Sequence, residues 1–191
     1  MIPLNITRAA EDALRALSRL SVLGRDTEAE VYQSVLSSVT IMESYVDTIV
    51  SAIVEDSLEV GGGAIGGVVF DELRPDLQRS WARRNHWLQR LFGISMKGQE
   101  CGQDGDLVIA LRNALTHGSG GMSRLQTQDA GGVVELAESL RRKLRVDYVG
   151  GRLFLDASSG QIACSVSREY VLSLDSQLSP FSTKAAKVRL M

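Results

Sequence analysis

Cysteine and histidine are scarce in this chain, with two of each among 191 residues. The cysteines, Cys101 and Cys164, are far apart in the sequence, and two separate thiols with two histidines do not make a zinc site. The composition therefore predicts no metal site, and nothing in it indicates another cofactor. We expect both thiols to stay reduced, as they do in a cytoplasm.

The chain also lacks long apolar runs and a large charge of either sign. No apolar segment approaches the roughly 20 residues of a membrane-spanning helix. Met1 to Leu4 lead into a charged amphipathic segment without the features of a secretory signal. We therefore expect a cytoplasmic protein with no membrane contact. The formal net charge is −2, so a site for an anion has to come from local clustering of cations.

Hydrophobic and charged residues, at 44% and 23%, are in the usual range for a globular protein, and the length suits a single domain over 1–191. Apolar periodicity predicts a mainly α helical bundle over about residues 5–118. The first helix is predicted from Thr7 to Leu23, ended by Gly24, and the second from a cap at Asp26 or Thr27 to about Leu58. The second helix has apolar residues at steps of three and four: Val31, Val35, Val39, Met42, Val46, Ile49 and Ile53.

A glycine-rich stretch follows at 61–67. Gly61, Gly63 and Gly66 match the spaced glycines of a dinucleotide-binding site. That pattern requires a strand before it and a helix directly after it, and here a long helix precedes it. We therefore interpret the stretch as a mobile linker between helices.

A third helix is predicted to begin with Pro75 in its first turn and to end at Gly93. One face of this helix is basic: Arg79, Arg83, Arg84 and Arg90. Such a face is usually solvated surface, but beside a phosphate-processing site it would bind RNA. After a polar turn at 97–105, Asp104 or Asp106 is predicted to cap a short fourth helix that ends at His117.

The remainder, about residues 133–185, is predicted to be a small β-meander and a closing helix packed on the bundle. A helix over Val133 to Leu144 leads into three short strands, at Val146 to Val149, Leu153 to Leu155 and Ile162 to Val166. Gly150-Gly151 and residues 158–160 form the turns between them. Helical spacing returns from Tyr170 to Phe181.

The end of the fourth helix, Arg112-Asn113-Ala114-Leu115-Thr116-His117-Gly118, joins two side chains with complementary chemistry. Arginine binds phosphate through a planar fork of donors, and histidine exchanges a proton near neutral pH. Asn113 adds a polar group that can hold a phosphate, and Gly118 is expected to adopt a left-handed conformation that exposes His117. These groups suffice to process a phosphodiester without a metal.

Spacing alone is a weak signal, because Arg79 and His86 also fit it. We expect His86 to be a half-buried packing residue or a polar neighbour of the arginines. Five residues of α-helix rotate by about 500°, which leaves Arg112 and His117 roughly 140° apart. They converge only if the last turn is distorted or if a second protomer completes the site. The structural alternative is that Arg112 pairs with a carboxylate and His117 caps the helix through its last carbonyl groups.

The segment from Leu111 to Gly118 resembles the signature of the HEPN superfamily, in which Arg and a polar residue are followed by His after four to six intervening residues. In the second helix, the segment Ser38 to Val46, with Glu43-x-Tyr45, is similar to the Ser…Glu-x-Tyr segment of the RiboL-PSP and related HEPN branches. The resemblance covers about residues 27–181, and its specific motifs lie in these two segments.

The resemblance implies an all-α, up-and-down helical bundle that dimerises. It also implies a metal-independent endoribonuclease, often a toxin or an antiviral effector. It implies that Arg112 stabilises the phosphate, Asn113 orients it and His117 transfers protons. Attack by the RNA 2′-hydroxyl would leave a 2′,3′-cyclic phosphate and a 5′-hydroxyl. Glu43 would hold Arg112 or His117 in place, or else be a carboxylate on a solvated helix face. The implied partners are RNA, a second copy of the chain, and a cognate antitoxin or regulatory protein.

Two rival functions stay open. One is a non-catalytic HEPN-type module that binds a protein partner or a nucleotide and retains the motif; the other is a helical scaffold without a site. The net charge of −2 favours these rivals, because unspecific RNA capture usually requires a basic surface. In some toxins of the family, a tyrosine two residues after the histidine is modified by the antitoxin. Ser119 stands there in this chain, so we do not expect that regulation.

Overall fold

The computed structural model describes residues 5–22, 27–61, 63–118, 121–122, 126, 130–182 and 188–189. Its α-helices are α1 (Arg8–Val22), α2 (Glu28–Gly61), α3 (Gly63–Leu77), α4 (Trp81–Phe92), α5 (Glu100–His117), α6 (Ala130–Leu144) and α7 (Ser159–Leu178). Its strands are β1 (Asn5–Ile6), β2 (Val146–Val149), β3 (Arg152–Leu155) and β4 (Val188–Arg189), and a 3-10 turn over Ser179–Phe181 follows α7. The mainly α prediction is confirmed, with a small antiparallel hairpin before the closing helix.

The long helix α2 is the centre of the bundle and packs against α1, α3, α5 and α7. All seven of its predicted core positions are at most 3% exposed, as the spacing of apolar residues requires. Its predicted cap is confirmed at Thr27: the Thr27 Oγ1 atom accepts from the Glu30 amide at 3.3 Å, and the Glu30 carboxylate accepts from the Thr27 amide at 3.0 Å. Leu23, Gly24 and Asp26 lie outside the described residues.

A buried carboxylate ties three helices together. Asp175, on α7, is 1% exposed. It accepts hydrogen bonds from the Thr7 amide at 3.0 Å, from the Thr7 hydroxyl, and from the Tyr45 hydroxyl at 3.1 Å. Thr7 in turn caps α1, since its Oγ1 atom accepts from the Ala10 amide at 3.2 Å. The start of α1 is thereby fixed against α2 and α7.

The glycine-rich stretch is helical rather than a linker, so that prediction is wrong. The helix α2 continues to Gly61 and α3 begins at Gly63, with Gly62 outside the described residues. The helix α3 packs against α2 and α4 and buries Leu73 and Leu77, at 2% and 0% exposure. This burial outweighs the cost of glycine in a helix, about 1 kcal/mol per residue relative to alanine.

The single helix predicted from Pro75 to Gly93 is two helices. Pro75 lies within the last turns of α3 instead of opening a new helix, and α4 begins after Ser80, whose hydroxyl accepts from the Arg83 amide at 3.3 Å. The predicted end is confirmed at Gly93, which has a φ of +70°. The cap at Ser80, which the sequence-based prediction overlooked, sets the boundary between α3 and α4.

The helix α5 is longer than predicted, because it begins at Glu100 instead of after Asp104 or Asp106. Two glycines in its first half enable it to pack closely. A Cβ atom at Gly102 would lie 1.9 Å from the Met96 carbonyl oxygen, and one at Gly105 would lie 2.7 Å from the Tyr170 ring. Glycines that suggested a turn therefore serve helix packing.

The region after α5 is partly as predicted. The helix α6 and the strands β2 and β3 are confirmed, and Gly150 and Gly151 both have positive φ, +57° and +82°, as a two-residue hairpin turn of type I′ requires. The prediction of a third strand is wrong, because residues 162–166 belong to α7. In that helix Ala163, Val166 and Tyr170 share a buried face. The meander is therefore a hairpin. The pairing of β1 with β4 was not predicted.

Within the described residues, no helix is both long and apolar enough to cross a membrane.

Candidate functional site

Arg112 and Glu43 meet where α5 packs against α2. The Arg112 Nη2 atom donates to Glu43 Oε1, and Nη1 donates to the Asn113 side-chain oxygen at 3.0 Å. The two charged side chains are 21% and 23% exposed, so the pair lies at the rim of the core. Such partial burial strengthens a charged hydrogen bond relative to one in open water. Three of the four residues predicted for the site are thus in one cluster.

A second arginine extends this cluster along α2. Arg84, on α4, is buried and donates from Nε and Nη2 to the two carboxylate oxygens of Asp47, both at 2.8 Å. Its Nη1 atom also lies 3.7 Å from Glu43 Oε1, and its guanidinium lies 5.4 Å from the centre of the Trp81 ring. Glu43 and Asp47 stand one turn apart on α2, so two carboxylates balance two arginines.

His117 is not part of this cluster. It is the exposed last residue of α5, and no hydrogen bond or ion pair joins its side chain to another described residue. The helix is regular at this point, because the Gly118 amide donates to the Ala114 carbonyl oxygen at 2.8 Å and the Thr116 hydroxyl donates to the Arg112 carbonyl oxygen at 2.6 Å. The distorted turn that would bring Arg112 and His117 together within one protomer is absent.

Gly118 departs from the expected left-handed conformation, since its φ is −96°. Close packing requires glycine here instead: a Cβ atom at Gly118 would lie 1.9 Å from the Gly121 carbonyl oxygen. A Cβ atom at Gly121 would in turn lie 2.5 Å from the Gly151 carbonyl oxygen. The end of α5 beside His117 therefore packs against the tip of the β2–β3 hairpin.

The four arginines predicted as a basic face do not form one. Arg84 is buried in the cluster just described, and Arg83 forms an ion pair with Asp76, 2.5 Å from Nη2 to Oδ2. Arg79 is exposed and 4.0 Å from the same carboxylate, and Arg90 lies over the Trp87 ring at 5.6 Å. Helical periodicity extended across the boundary at Ser80 contributed to this error, because it placed Arg79, which lies in the turn between α3 and α4, on one face with three residues of α4.

The second histidine is exposed, so it is not the half-buried packing residue of the first expectation, and the alternative, a polar neighbour of the arginines, stands. His86 contacts the Trp87 ring edge-on, with centroids 5.6 Å apart. The Arg79 and His86 pair remains a match in spacing, without the hydrogen-bonded carboxylate and amide that surround Arg112.

The segment that resembles the HEPN branches in α2 divides between the site and the core. Glu43 binds Arg112, whereas Tyr45 and Ser38 are buried. The Tyr45 hydroxyl donates to Asp175, and the Ser38 hydroxyl donates to the Val35 carbonyl oxygen. Burial raises the pKa of Tyr45 well above its usual value, and the Asp175 carboxylate raises it further. Of these three residues, Glu43 is the one that reaches the site. Ser119 lies outside the described residues.

A polar cleft that sequence reasoning missed lies on the other side of Glu43. Its volume is about 570 Å³ and its far wall carries Phe70 and Arg74. The wall on α2 carries Glu43, Asp47 and Glu55 together with four hydroxyl residues: Thr40, Ser44, Thr48 and Ser51. The steps of three and four between these hydroxyl residues were a readable signal of one polar helical face.

Among the described residues, no group of three or more His, Cys, Asp and Glu side chains is arranged to hold a metal ion. In comparisons with models of protein families, with curated proteins and with solved structures, nothing matches this chain. The resemblance to the HEPN superfamily therefore rests on the sequence segments around Glu43 and Arg112.

Proposed function

We propose that this protein is a metal-independent endoribonuclease of the HEPN type that acts as a homodimer. The observation that carries the proposal is the arrangement of Arg112, whose guanidinium is held by Glu43 and Asn113 on the helix that ends at His117. A cation oriented by a carboxylate and an amide at the rim of the core is suited to a phosphate, because it needs little reorganisation when the phosphate binds.

The proposed reaction is attack by the RNA 2′-hydroxyl on the adjacent phosphorus. His117 takes the hydroxyl proton while the 2′-oxygen forms its bond to phosphorus, and the bond from phosphorus to the 5′-oxygen breaks. A proton returned to that oxygen gives a 5′-hydroxyl product and a 2′,3′-cyclic phosphate. Arg112 neutralises the charge that develops on the phosphate oxygens, and Asn113 donates a hydrogen bond that orients them.

A dimer is part of the proposal because one protomer does not bring the two reacting groups together. Arg112 faces α2, and His117 lies roughly 140° around a regular helix from it. A second copy that contributes its own α5 end would place a histidine opposite an arginine across the interface. Each dimer would then contain two equivalent sites.

The test is incubation of the purified protein with mixed RNA in EDTA, beside Arg112→Ala and His117→Ala. Proton-transfer groups contribute about 10²–10⁴-fold and charge stabilisers about 10²–10³-fold, so both variants should be close to inactive. Matched controls are His86→Ala and Arg142→Ala, an exposed histidine and an exposed arginine away from the cluster, which should retain full activity. Equal cleavage by all five proteins would refute the proposal, because it would come from a contaminating nuclease.

A non-catalytic HEPN-type module is the second candidate. It is favoured by the same ion pair, because Glu43 neutralises the charge with which Arg112 would meet a phosphate. Under this candidate the protein binds a protein partner or a nucleotide and does not cleave RNA. The RNA assay separates the two, because nucleotide or partner binding that is unchanged by His117→Ala, without cleavage of RNA, supports the module.

The proposed role is that of a toxin or an antiviral-defence effector controlled by a cognate antitoxin or regulatory protein. Expression in a bacterial host tests it. Growth arrest that disappears with His117→Ala and persists with His86→Ala supports this role, whereas normal growth with an active ribonuclease contradicts it.

A further inference from the structure

The outward face of the β2–β3 hairpin exposes an unusual set of side chains. Strand alternation and the register, Asp147 opposite Phe154 and Val149 opposite Arg152, put these four residues on one face. All four are exposed, and the two apolar residues are markedly so: Val149 is 63% and Phe154 53% exposed. The opposite face, with Val146 and Leu153, is buried. Val149 and Phe154 are the apolar part of this face, and apolar side chains rimmed by charged ones are the composition of a contact surface.

The four residues form a self-complementary pattern. Val149 and Phe154 lie at the ends of one diagonal of the face, and Asp147 and Arg152 lie at the ends of the other. No ion pair joins Asp147 to Arg152 or to another described residue within the protomer. If two copies face each other across a two-fold axis parallel to the apolar diagonal, Val149 contacts Val149 of the second copy and Phe154 contacts its Phe154. The same rotation sets each Asp147 opposite the partner's Arg152, so both charge pairs form at once.

The position of this face gives it a bearing on the site. The hairpin turn packs directly against Gly121, four residues after His117, since a Cβ atom at Gly121 would lie 2.5 Å from the Gly151 carbonyl oxygen. A copy docked on the outward face would therefore be held by an element that contacts the chain just beyond the exposed end of α5. This is the end at which a single protomer lacks the residues to complete the arrangement of Arg112 and His117.

We propose that the outward face of the β2–β3 hairpin, made of Asp147, Val149, Arg152 and Phe154, is the surface on which two copies of this chain dimerise. Its link to catalysis rests on the proposed function, whereas the interface itself does not. Four residues per copy cover less than the roughly 800 Å² per partner of a standard interface. The dimer is therefore weak, with a Kd of about 1–100 μM, and the proportion of dimer depends on concentration.

The test is analytical ultracentrifugation of the full chain over concentrations on either side of that range. Asp147→Arg and Arg152→Asp each turn both charge pairs into repulsive ones, and each should raise the Kd at least tenfold. The double variant Asp147→Arg/Arg152→Asp restores both pairs in reverse order and should return to within about threefold of the original Kd, since the charges are the same. Phe154→Asp should give a monomer. Arg19→Asp, an exposed charge reversal on α1, is the control and should leave the Kd unchanged.

The outcomes divide clearly. Weakening by the single variants with recovery in the double variant supports the interface, because a general loss of folding would not be reversed by a second substitution. A wild-type monomer throughout the range overturns it. A dimer that is insensitive to the single variants, or one that the double variant does not restore, also overturns it.

Cleavage assays on the same proteins separate this proposal from the ribonuclease. A dimer with the expected charge pattern but no cleavage leaves the interface standing and refutes the proposed function. Cleavage at a rate per molecule that is independent of concentration, by a protein that is monomeric throughout, refutes the interface and the dimeric arrangement of the site, and leaves the metal-independent ribonuclease activity standing.

Discussion

Glu43 and Arg112 form an ion pair between α2 and α5, and the same carboxylate oxygen lies 3.7 Å from Arg84 Nη1. Glu43 therefore accepts from a partly exposed arginine while it faces a buried one. Because Arg84 is already satisfied by both oxygens of Asp47, the Arg112 guanidinium is the group whose position depends most on Glu43. This dependence makes Glu43 a positioning residue for any phosphate that Arg112 binds.

Glu43→Gln should lower kcat for RNA cleavage by on the order of tenfold to a hundredfold, because a guanidinium displaced by about 1 Å no longer fits the reacting phosphate. RNA affinity should stay the same or rise, since a negative charge is removed beside Arg112. Steady-state kinetics and RNA binding in the His117→Ala background measure the two effects separately. Glu55→Gln, on the same helix and without a hydrogen-bonded cation among the described residues, is the matched control. Equal kcat for the two glutamine variants would contradict the assignment.

Removal of the buried carboxylate at Asp175 should destabilise the fold. Asp175→Ala leaves the Thr7 amide, the Thr7 hydroxyl and the Tyr45 hydroxyl without their acceptor, so the free energy of unfolding should fall by about 3 kcal/mol or more. Tyr45→Phe removes one of these donors and should cost about 1 kcal/mol. Urea unfolding measures both, with Asp12→Ala, an exposed carboxylate on α1, as the control. The two effects should be less than additive in the double variant, and simple additivity would show that the groups do not interact.

Alkaline pH should weaken the fold through two buried tyrosines. Burial raises the pKa of Tyr45, with Asp175 adding to the effect, and burial likewise raises the pKa of Tyr170, with Asp106 adding to it, from the usual value of 10.0. Above pH 10 the unfolded chain releases both phenolic protons while the folded chain retains them. The free energy of unfolding should therefore be independent of these groups below pH 10 and fall above it, by up to about 1.4 kcal/mol per pH unit for each phenol.

Urea unfolding between about pH 8 and about pH 11 checks this slope. The double variant Tyr45→Phe/Tyr170→Phe should be less stable at neutral pH and should lose stability less steeply above pH 10. Parallel curves for the two proteins would mean that other groups cause the alkaline loss.

The same substitution, glycine to alanine, should have opposite effects in two helices. At Gly67 in α3, no atom lies within 4 Å of an added Cβ, so Gly67→Ala should raise the free energy of unfolding by about 0.5–1 kcal/mol through helix propensity. At Gly105 in α5, the added Cβ would lie 2.7 Å from the Tyr170 ring. Gly105→Ala should therefore lower the free energy of unfolding by about 1–3 kcal/mol. Thermal and urea unfolding of both variants decide this, and a gain at Gly105 would contradict the close packing.

Elements with strong local signals were predictable. The seven buried positions of α2 repeat at helical spacing, and Gly150-Gly151 between alternating residues predicts the hairpin turn. The errors occurred where local composition and packing disagree. Glycines at 61–67 and 102–105 suggested loops, but the described glycines of both segments lie in helices. Their neighbours bury enough apolar surface, or approach closely enough to require glycine.

The cluster around Arg112 was predictable in part, because Arg84 and Asp47 were not assigned to it and His117 lies outside it. The sequence pattern selected Arg112, Asn113, His117 and Glu43, and helical geometry indicated that Arg112 and His117 point in different directions. Arg112 forms an ion pair with Glu43, instead of pointing into solvent, because of the way α5 packs on α2. The capture of Arg84 by Asp47 also depended on packing, since these residues are 37 positions apart.

The amino-acid sequence by itself determined which segments are helical cores and which residues can bind phosphate or move a proton, because periodicity and side-chain chemistry are local properties. Only the tertiary structure decided which charges neutralise each other and which remain exposed, because distances between helices depend on the packing of the whole core. Arg84 and Arg112 became partners of Asp47 and Glu43 for this reason, and His117 was left exposed beside the hairpin.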